Sequence, residues 1–430
     1  MSGFMQPIME KIWEPVTEIY TKAYEQAMAM DAYELYRYHT EQTMRYYHYV
    51  GVTMNYVDTL GCPYRGKGKK LAGCSMCDFQ SELAQQQGSL KALQEKDPEL
   101  YAKSVLTGFK NARGSQASAN VIENISGYDT FSQDEVPSPL LDELFGKEMF
   151  HTNPFIFNVE ARASSITRDN LKRFRESIKN KKRVSIDFGV ETGNEWIRNQ
   201  WLNKNVSNAQ IMEAIQLLHE YGFKAVCNVL IGIPGLTEQQ SISSFLETML
   251  WLDSIGADKI IIHILSRKTY TLQGFMYQKF QNDQELWELG LAQGEHTGLP
   301  WLITAYRALS ALYARKSDIY EKAAIVRLDE NYNSITNKIA FNDTEDCDCN
   351  QAYRKFINDL TLTRRFELLE KSQPSLECDS CLQRYNELLT RQEKAGGIWN
   401  TARIWAEKIT RELFGETNYY ELPKWEERDI

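Results

Sequence analysis

The chain has 430 residues, of which 43% are hydrophobic and 25% charged, so its composition is that of a globular protein with room for one large domain and an appendage. It carries no apolar run long enough to span a bilayer, and its first residues do not begin a secretory signal, so we expect a cytoplasmic protein with no membrane partner. A formal net charge of -9 argues against a large nucleic-acid footprint held by phosphate contacts, although a local basic patch stays open.

The predicted elements begin with a helical pattern over residues 5–47, whose aromatic residues are typical of a packing face. A strand-like run follows at 52–57, and a polar, helix-prone region covers 78–111. From there strands are predicted at 119–125, 154–159, 183–190, 224–232 and 258–265, and helices at 138–145, 167–178, 195–221 and 237–255. Strands that alternate with amphipathic helices predict right-handed βαβ units and a parallel sheet.

Six such strands, counting 52–57, predict an α/β fold built on an open, TIM-like (β/α)6 partial barrel rather than a closed eight-stranded one. We expect an N-terminal helical extension at 1–48, a barrel core at 49–270 and a helical C-terminal region at 271–430. The later strands are almost continuously apolar, as strands covered on both faces of a sheet are.

The cysteines fall into groups of three, one and four, which indicates metal sites rather than a disulfide framework. They are Cys62, Cys74 and Cys77, then Cys227, then Cys347, Cys349, Cys378 and Cys381. Three thiolates in one loop can hold three irons of a [4Fe–4S] cluster and leave the fourth iron open for another ligand. A structural zinc ion completed by a histidine is the alternative, and no histidine lies in the loop between the first and third of these cysteines.

Eleven residues, 63–73, separate the first two cysteines of the loop. This insert carries four basic residues: Arg65, Lys67, Lys69 and Lys70. We favour a solvated loop whose charge offsets that of the cluster over a patch for an anionic substrate or a nucleic acid backbone.

Three motifs follow strands at the end where parallel sheets bind ligands. In Leu-Ile-Gly-Ile-Pro-Gly, at 230–235, the glycines allow a ligand to approach the backbone, and the alternative is a tight turn before a helix capped by Thr237. In Gly-Val-Glu-Thr, at 189–192, Glu191 can accept hydrogen bonds or act as a helix N-terminal charge. Glu160 and Arg162 follow the strand at 154–159, where a surface ion pair is the alternative.

Taken in this order, the cysteine loop and the strand-end motifs resemble the radical SAM (S-adenosylmethionine) superfamily. More narrowly they resemble its Elp3-like branch, which includes the radical SAM subunit of archaeosine synthase. The resemblance covers roughly residues 50–305 and includes Glu-Val-Pro at 135–137 and Leu-Pro-Trp at 299–301. The widespread superfamily pattern has three residues between the first two cysteines, so the insert of this chain is a departure from it.

The resemblance implies that Cys62, Cys74 and Cys77 hold the cluster and act in catalysis. It further implies that SAM is bound by Ser126, Gly127, Glu160, Arg162, Glu191, Arg198, Ile231 and Gly232. Among these, Glu191 would contact the ribose or the methionine part of SAM, and Arg198 would pair with the carboxylate of SAM. Ile231 and Gly232 would flank the adenine. Ser126 and Gly127 stand where the superfamily has the Gly-Gly-Glu that meets the amino group, so this contact is the most altered.

The second cysteine group consists of two close pairs, Cys347 with Cys349 and Cys378 with Cys381. Four thiolates suit a tetrahedral zinc ion and an auxiliary [4Fe–4S] cluster, and we favour zinc by a small margin. Cys227, inside a predicted strand, is typical of a buried small hydrophobic residue.

The leading hypothesis is a radical SAM enzyme, a transferase or lyase, that reductively cleaves SAM to a 5′-deoxyadenosyl radical, which abstracts hydrogen from a substrate. Its electron would come from a partner such as a ferredoxin or flavodoxin. The substrate is a tRNA nucleoside, as the resemblance and the basic loop suggest, or a small molecule or peptide of natural-product biosynthesis, as the acidic charge suggests. A non-catalytic, metal-stapled scaffold is the alternative from another class.

Overall fold

The computed structural model describes residues 4–41, 46–49, 52–56, 59–65, 70–78, 81–114, 122–126, 128–137, 140–141, 156–178, 183–329, 337–371, 378–416 and 422–423. The chain opens with helices α1 (Met5–Ile12), α2 (Glu14–Met28) and α3 (Ala32–Glu41). The predicted helix at 5–47 is wrong at its end, because Tyr46–Tyr49 forms strand β1, which pairs antiparallel with β2 (Val52–Tyr56). No helix in the described part of the chain is long and apolar enough to cross a membrane.

The elements of the barrel then follow in chain order: α4 (Ala84–Lys96), α5 (Pro98–Gly114), β3 (Ile122–Ser126), β4 (Ile156–Ala161), α6 (Arg168–Ser177), β5 (Arg183–Glu191), a π-helix (Ile197–Trp201), α7 (Asn208–Glu220), β6 (Lys224–Ile231), α8 (Glu238–Ser254) and β7 (Lys259–Ile264). These bounds agree with the predicted strands and helices to within a few residues. The helix predicted at 138–145 lies largely outside the described residues.

Ten further elements come after β7: β8 (Arg267–Lys268), α9 (Leu272–Phe280), α10 (Gln284–Glu288), α11 (Leu302–Arg315), β9 (Ala323–Ile325), β10 (Asn337–Lys338), α12 (Cys349–Thr363), α13 (Leu368–Lys371), α14 (Asp379–Gln392) and α15 (Ile398–Phe414). The region beyond 270 is therefore mostly helical, as predicted. The two short strands β8 and β10 pair with each other.

Eight of the described strands form one sheet in the order β1-β2-β3-β4-β5-β6-β7-β9. Strands β2 to β7 are parallel throughout, which confirms the six-stranded parallel core. The prediction that 258–265 is the last strand is wrong, because β9 adds to β7 in parallel. Three residues are too few to show a strand period, so this strand gave no pattern to recognise. Since β1 and β9 occupy the two edges, the sheet is open.

Alternation along the strands separates an outer face from an inner face. In β5, Val184, Ile186 and Phe188 are buried in the core, so Ser185 and Asp187 point to the opposite, inner face. Cys227 of β6 is fully buried in the same core, which confirms its role as a small hydrophobic residue.

A second hydrophobic core lies at the carboxyl edge of the sheet. It brings Met9 and Trp13 from the N-terminal helices together with Trp201, Leu272 and Trp405. Both cores contain residues from all three predicted regions, and the division at 48 and 270 stays a prediction. Since the second core covers the edge of the sheet that carries the cysteine loop, both ends of the chain contribute to the surroundings of that loop.

Candidate functional site

The three cysteines of the first group lie in the loop after β2, at the carboxyl edge of the parallel sheet. Cys62, Cys74 and Cys77 are free thiols, and all three are partly exposed. The described residues contain one group of metal-ligating side chains close enough to hold a single ion, and these cysteines do not belong to it. Three thiol ligands suit a [4Fe–4S] cluster, which leaves its fourth iron open, whereas a structural zinc ion requires four ligands.

Backbone bonds from distant parts of the chain hold the second half of this loop. The Ser75 amide donates to the Leu202 carbonyl oxygen at 2.9 Å, and the Leu272 amide donates to the Ser75 carbonyl oxygen at 2.7 Å. The Asn203 side chain donates to the Gly73 carbonyl oxygen at 2.8 Å. The loop after the π-helix and the start of α9 therefore position this half of the cysteine loop.

The basic insert is only partly visible. Lys67 and Lys69 lie outside the described residues, and Lys70 is exposed. Arg65 is buried, with its guanidinium carbon 4.8 Å from the centroid of the Trp13 ring. Burial lowers the pKa of Arg65 to about 10, and nearby cysteine thiols oppose that shift. The charge of Arg65 thus lies against the cysteines, in agreement with the interpretation that the insert offsets the charge of a cluster.

Arg162 lies just beyond the end of β4 and makes four contacts around the cysteine loop. Its Nη1 is 4.0 Å from Cys74 Sγ, and its Nη2 donates to the Lys204 carbonyl oxygen at 2.5 Å. The guanidinium carbon is 4.1 Å from the centroid of the Tyr64 ring, and the Arg162 amide donates to Asp129 Oδ1 at 3.2 Å. Burial alone would lower the pKa of Arg162, but the adjacent cysteine thiols raise it overall, so the guanidinium is charged.

Glu191 at the end of β5 forms a buried ion pair that the sequence did not reveal. Lys204 Nζ lies 2.8 Å from Glu191 Oε1, and both side chains are about nine-tenths buried. Burial alone would lower the pKa of Lys204, but Glu191 and Cys74 raise it overall, so the ammonium group of Lys204 is charged. A buried carboxylate and ammonium beside the cysteine loop provide both charges needed to bind a zwitterionic amino acid group.

The Arg198 side chain, in contrast, donates its hydrogen bonds to acceptors within the protein. Its side chain is 0% exposed, and Nε and Nη1 donate to the carbonyl oxygens of Val206 and Thr192, each at 2.7 Å. Its Nη2 donates to Asn208 Oδ1 at 2.5 Å. These bonds hold the segment after the π-helix to the end of β5, and the role of Arg198 at a SAM carboxylate stays a prediction.

The glycine turn after β6 is explained by contacts within the protein. A Cβ at Gly232 would lie 2.7 Å from Pro300 Cγ, and one at Gly235 would lie 2.8 Å from Trp405 Cδ1. Both glycines also have positive φ, 94° and 77°. Ile231 is fully buried in the core, so its side chain does not face the interior of the barrel. The contact of 231 and 232 with adenine therefore stays a prediction, while the capped turn is observed directly.

The remaining predicted SAM contacts are only partly described. Ser126 ends β3 but its side chain, like the whole of Gly127, lies outside the described residues. Glu160, at the end of β4, accepts the Thr130 amide through its backbone oxygen at 3.1 Å. Glu135, eight residues after Gly127, is fully buried and accepts a hydrogen bond from the Thr59 hydroxyl at 2.7 Å. Burial raises the pKa of Glu135 well above its usual range.

A row of polar side chains, which was missed in the sequence, crosses the inner face of the barrel. Asn158 and Asn228 donate to the two carboxylate oxygens of Asp187, at 3.3 and 2.7 Å. Ser185 donates to Asn158 Oδ1 at 2.6 Å, and His263 Nε2 lies 3.2 Å from Asn228 Oδ1. Burial, followed by the nearby Glu160 carboxylate, raises the pKa of Asp187 to about 8, so this carboxyl group is largely neutral at pH 7.

The signal for this row was present in β5. Its apolar residues alternate with Ser185 and Asp187, and a carboxyl group inside a buried strand has to face the interior. Buried titratable groups of this kind concentrate at functional sites.

Left-handed backbone at residues other than glycine occurs around the Glu191–Lys204 pair. Among the described residues other than glycine, φ is positive at Tyr128, Glu191, Asn203, Asn205, Asp343 and Arg364. Asn203 and Asn205 flank Lys204, and Glu191 is its ion-pair partner. Left-handed backbone at residues other than glycine is unfavourable, and it is found preferentially at ligand sites.

The four C-terminal cysteines form the one compact metal-ligating group in the described part of the chain, with all four sulfurs within 4.8 Å of one another. From Cys347 Sγ the distances are 3.2 Å to Cys349, 3.9 Å to Cys378 and 3.5 Å to Cys381. A tetrahedral zinc ion with Zn–S bonds of about 2.3 Å has sulfurs about 3.8 Å apart. Since α12 begins at Cys349 and α14 follows Cys378, two positive helix ends also favour thiolates here.

The family model of the radical SAM superfamily matches residues 56–246, from the end of β2 into α8. The chain therefore contains a radical SAM domain, and its parallel sheet with the cysteine loop at the carboxyl edge has the radical SAM fold. The match covers less than half of the chain, and the superfamily that it names implies a [4Fe–4S] cluster and SAM.

Two curated relatives match about half of the chain. An uncharacterised protein of Methanocaldococcus jannaschii is 26% identical over 211 residues, 47% of this chain and 52% of that protein. The archaeosine synthase subunit beta of Methanosarcina acetivorans is 24% identical over 206 residues, 46% of this chain and 58% of that protein. The matches thus span little more than half the length of either relative.

Solved radical SAM structures resemble the chain only distantly. Elp3 of Methanocaldococcus infernus, with an N-terminal deletion, has a TM-score of 0.39 at 13% identity over 64% of this chain and 61% of that one. Methylornithine synthase has a TM-score of 0.37 at 10% identity over 83% of this chain and 88% of that one. Likenesses this weak carry no information about substrate.

Proposed function

We propose that this chain reductively cleaves SAM at a [4Fe–4S] cluster held by Cys62, Cys74 and Cys77, and that the 5′-deoxyadenosyl radical so formed abstracts hydrogen from a substrate carbon. The observation that carries the proposal is the presence of three free thiols in one loop, within the region that the radical SAM family model matches. Of these, Cys74 lies 4.0 Å from Arg162 Nη1 and interacts electrostatically with Lys204 of the Glu191–Lys204 pair.

The residues around the loop suit this task. Glu191 and Lys204 present a carboxylate and an ammonium group, which we assign to the ammonium and carboxylate groups of the methionine part of SAM. The second hydrophobic core covers the carboxyl edge of the sheet and excludes water from this end of the barrel, which favours a reactive radical. An electron donor such as a ferredoxin or flavodoxin completes the proposal.

The test is anaerobic reconstitution with iron and sulfide, followed by dithionite and SAM. We expect a four-iron cluster spectrum and formation of 5′-deoxyadenosine, and no 5′-deoxyadenosine from the Cys74→Ala variant. A chain that binds zinc at the four C-terminal cysteines but no iron would contradict the proposal and favour the metal-stapled scaffold.

For the substrate we propose a tRNA nucleoside, in a modification of the archaeosine synthase type. The relative from Methanosarcina acetivorans supports this choice, at 24% identity over part of its length. The alternative, a small molecule or peptide, is favoured by the net charge of -9. Nucleic acid that copurifies with the protein, and 5′-deoxyadenosine formation that rises when bulk archaeal tRNA is added, would support tRNA. Absence of both would support the alternative.

For the second metal we propose zinc rather than an auxiliary cluster. Each thiolate of a four-iron cluster binds a different iron, so its sulfurs have to lie further apart than those around one ion. The separations of 3.2–3.9 Å from Cys347 Sγ, with all four sulfurs within 4.8 Å of one another, support a single tetrahedral ion. Metal analysis of protein purified before iron reconstitution should find one zinc per chain, and four additional irons at this site after reconstitution would contradict the proposal.

A further inference from the structure

The cysteine loop consists of two halves that are anchored separately. The first half, 59–65, is held by Thr59, whose hydroxyl donates to Glu135 at 2.7 Å and accepts the Gly61 amide at 3.2 Å. The second half, 70–78, is held from the segment after the π-helix and from α9, as described above. At the base of the insert the Ala72 amide donates to the Arg65 carbonyl oxygen, and the Arg65 amide donates to the Cys62 carbonyl oxygen at 3.0 Å, so the backbone joins the two halves at one point. These backbone bonds do not fix the Cys74 side chain, so a side-chain contact is needed to hold its sulfur in register with the first half.

Arg162 makes that contact. Its guanidinium stacks on Tyr64 in the first half, 4.1 Å from the ring centroid, while its Nη1 lies 4.0 Å from Cys74 Sγ in the second half. The bond of Nη2 to the Lys204 carbonyl oxygen, at 2.5 Å, fixes the guanidinium in its plane. A planar group with five donors can stack and donate at once, whereas the ammonium group of a lysine cannot do both in this geometry.

The same contact places a permanent charge against the cysteines. The guanidinium interacts electrostatically with both Cys62 and Cys74, and it does not lose its proton in the range of ordinary pH. A fixed positive charge beside cluster thiolates stabilises the reduced, more negative state of a cluster and thereby raises its reduction potential.

We propose that Arg162 is a positioning residue that joins the two halves of the widened cysteine loop and sets the reduction potential of the cluster. The proposal rests on the proposed function, because it requires the cluster at Cys62, Cys74 and Cys77. It goes beyond the role in SAM binding that the family resemblance implies for Arg162.

The experiment compares Arg162→Lys and Arg162→Gln with the native chain after anaerobic reconstitution. Loss of iron to a chelator should become several-fold faster in both variants, because neither retains the planar contact between the halves. An EPR redox titration should show a lower potential in Arg162→Gln, by roughly tenfold in the one-electron equilibrium, or about 59 mV. Arg162→Lys retains the charge, so its potential should shift less.

Two further variants separate the contact from general damage. Tyr64→Leu should accelerate iron loss, while Tyr64→Phe retains the ring and should not. Arg175→Gln is the matched control, because Arg175 also lies over an aromatic ring, 5.6 Å from the centroid of Phe223, but on the exposed surface of α6. It should leave iron loss and potential unchanged. An unchanged zinc content in every variant shows that the chain is folded.

Native rates of iron loss and a native potential in Arg162→Gln would overturn the proposal and leave the proposed function standing. Equal potentials in Arg162→Gln and Arg162→Lys, with faster iron loss in both, would overturn the part that concerns charge. A native chain that takes up no iron would overturn both the proposal and the proposed function.

Discussion

The two cysteine sites of this protein are built in opposite ways. The four C-terminal cysteines lie within 4.8 Å of one another, on or beside the first turns of two helices. The three cysteines of the N-terminal loop do not belong to such a group, and their loop is held by bonds of Thr59, Ser75 and Arg162. A closed set of four ligands leaves no coordination position open, as in structural zinc sites, whereas three ligands on a cluster leave one iron open for a ligand from outside.

From this contrast we expect the closed site to stabilise the fold and the open site to take part in a reaction. Short local contacts suffice for the closed site. The open site is assembled from the loop after β2, the end of β4 and the segment after the π-helix, and strained backbone at Glu191, Asn203 and Asn205 accompanies it.

The largest expected effect comes from removing a ligand of the open site. The Cys74→Ala variant should bind little iron after reconstitution, because two cysteines hold a cluster poorly. Its formation of 5′-deoxyadenosine should fall to background. Zinc content and thermal midpoint should change little. Iron, zinc and the thermal midpoint are measured on one preparation. Loss of zinc in this variant would contradict the distinction between the two sites.

Removing a ligand of the closed site should have the opposite result. Cys381→Ala should lose the zinc ion and about 3–5 kcal/mol of unfolding free energy, because metal binding contributes directly to folding. Iron binding per folded chain should stay native. Urea unfolding with metal analysis checks this, and Cys227→Ser, at a buried cysteine outside both groups, is the control that should destabilise the chain without loss of either metal.

Breaking the ion pair beside the open site should have an intermediate effect. Lys204→Met leaves Glu191 as an unpaired buried charge, which should cost about 3 kcal/mol of unfolding free energy and weaken SAM binding. The double variant Glu191→Gln/Lys204→Met should recover part of the stability without recovering SAM binding. Calorimetry of SAM binding to reconstituted protein, together with urea unfolding, tests this. Full recovery of SAM binding in the double variant would show that the pair acts only on stability.

The smallest effect on the two cysteine sites comes from the inner face of the barrel, where only the stability of the chain should change. The pKa of Asp187 is raised to about 8 in the folded chain, against about 3.9 in the unfolded chain, so folding favours the protonated form. Its contribution to stability is complete below about pH 4 and is lost as the pH rises toward about 8. We expect the native chain to lose about 2–5 kcal/mol of unfolding free energy over this window, and the Asp187→Asn variant not to show this loss.

Denaturant unfolding of both proteins at several pH values measures this difference. Parallel stability curves for native chain and variant would contradict the raised pKa. Iron and zinc contents should be native in both proteins, since Asp187 belongs to neither cysteine site.

The predictable part of the fold was the part with long, regular patterns. Strands 183–190 and 224–232 and helix 237–255 lie within a residue or two of their predicted bounds, because the apolar period is clear and Thr237 with Gln240 forms a capping box. Strand β9 was missed because three residues carry no period. Strand β1 was taken for helix because its Tyr-rich segment continues the pattern of α3 without a break.

At the site, the cysteines and Glu191 were recognised from local motifs, whereas Lys204 was not. Lys204 lies between two asparagines outside any regular element, so no local pattern marks it as a site residue. Its role is recognisable only from the structure, in which its Nζ lies 2.8 Å from Glu191 Oε1. Likewise the glycines at 230–235 were predicted either to admit a ligand or to form a tight turn, and only the structure shows that Pro300 and Trp405, far along the chain, leave no room for a Cβ at Gly232 and Gly235.

The sequence by itself therefore predicted the class of chemistry, since the order of a three-cysteine loop and the strand-end motifs is a local property of the chain. It also determined the parallel sheet, because buried strands and capped helices have apolar residues at short, regular spacings. Only the tertiary structure decided how the sites work. Sulfur separations, the ion pair of Glu191 with Lys204 and the position of Arg162 between two halves of a loop depend on contacts between distant residues, and no local pattern encodes such distances.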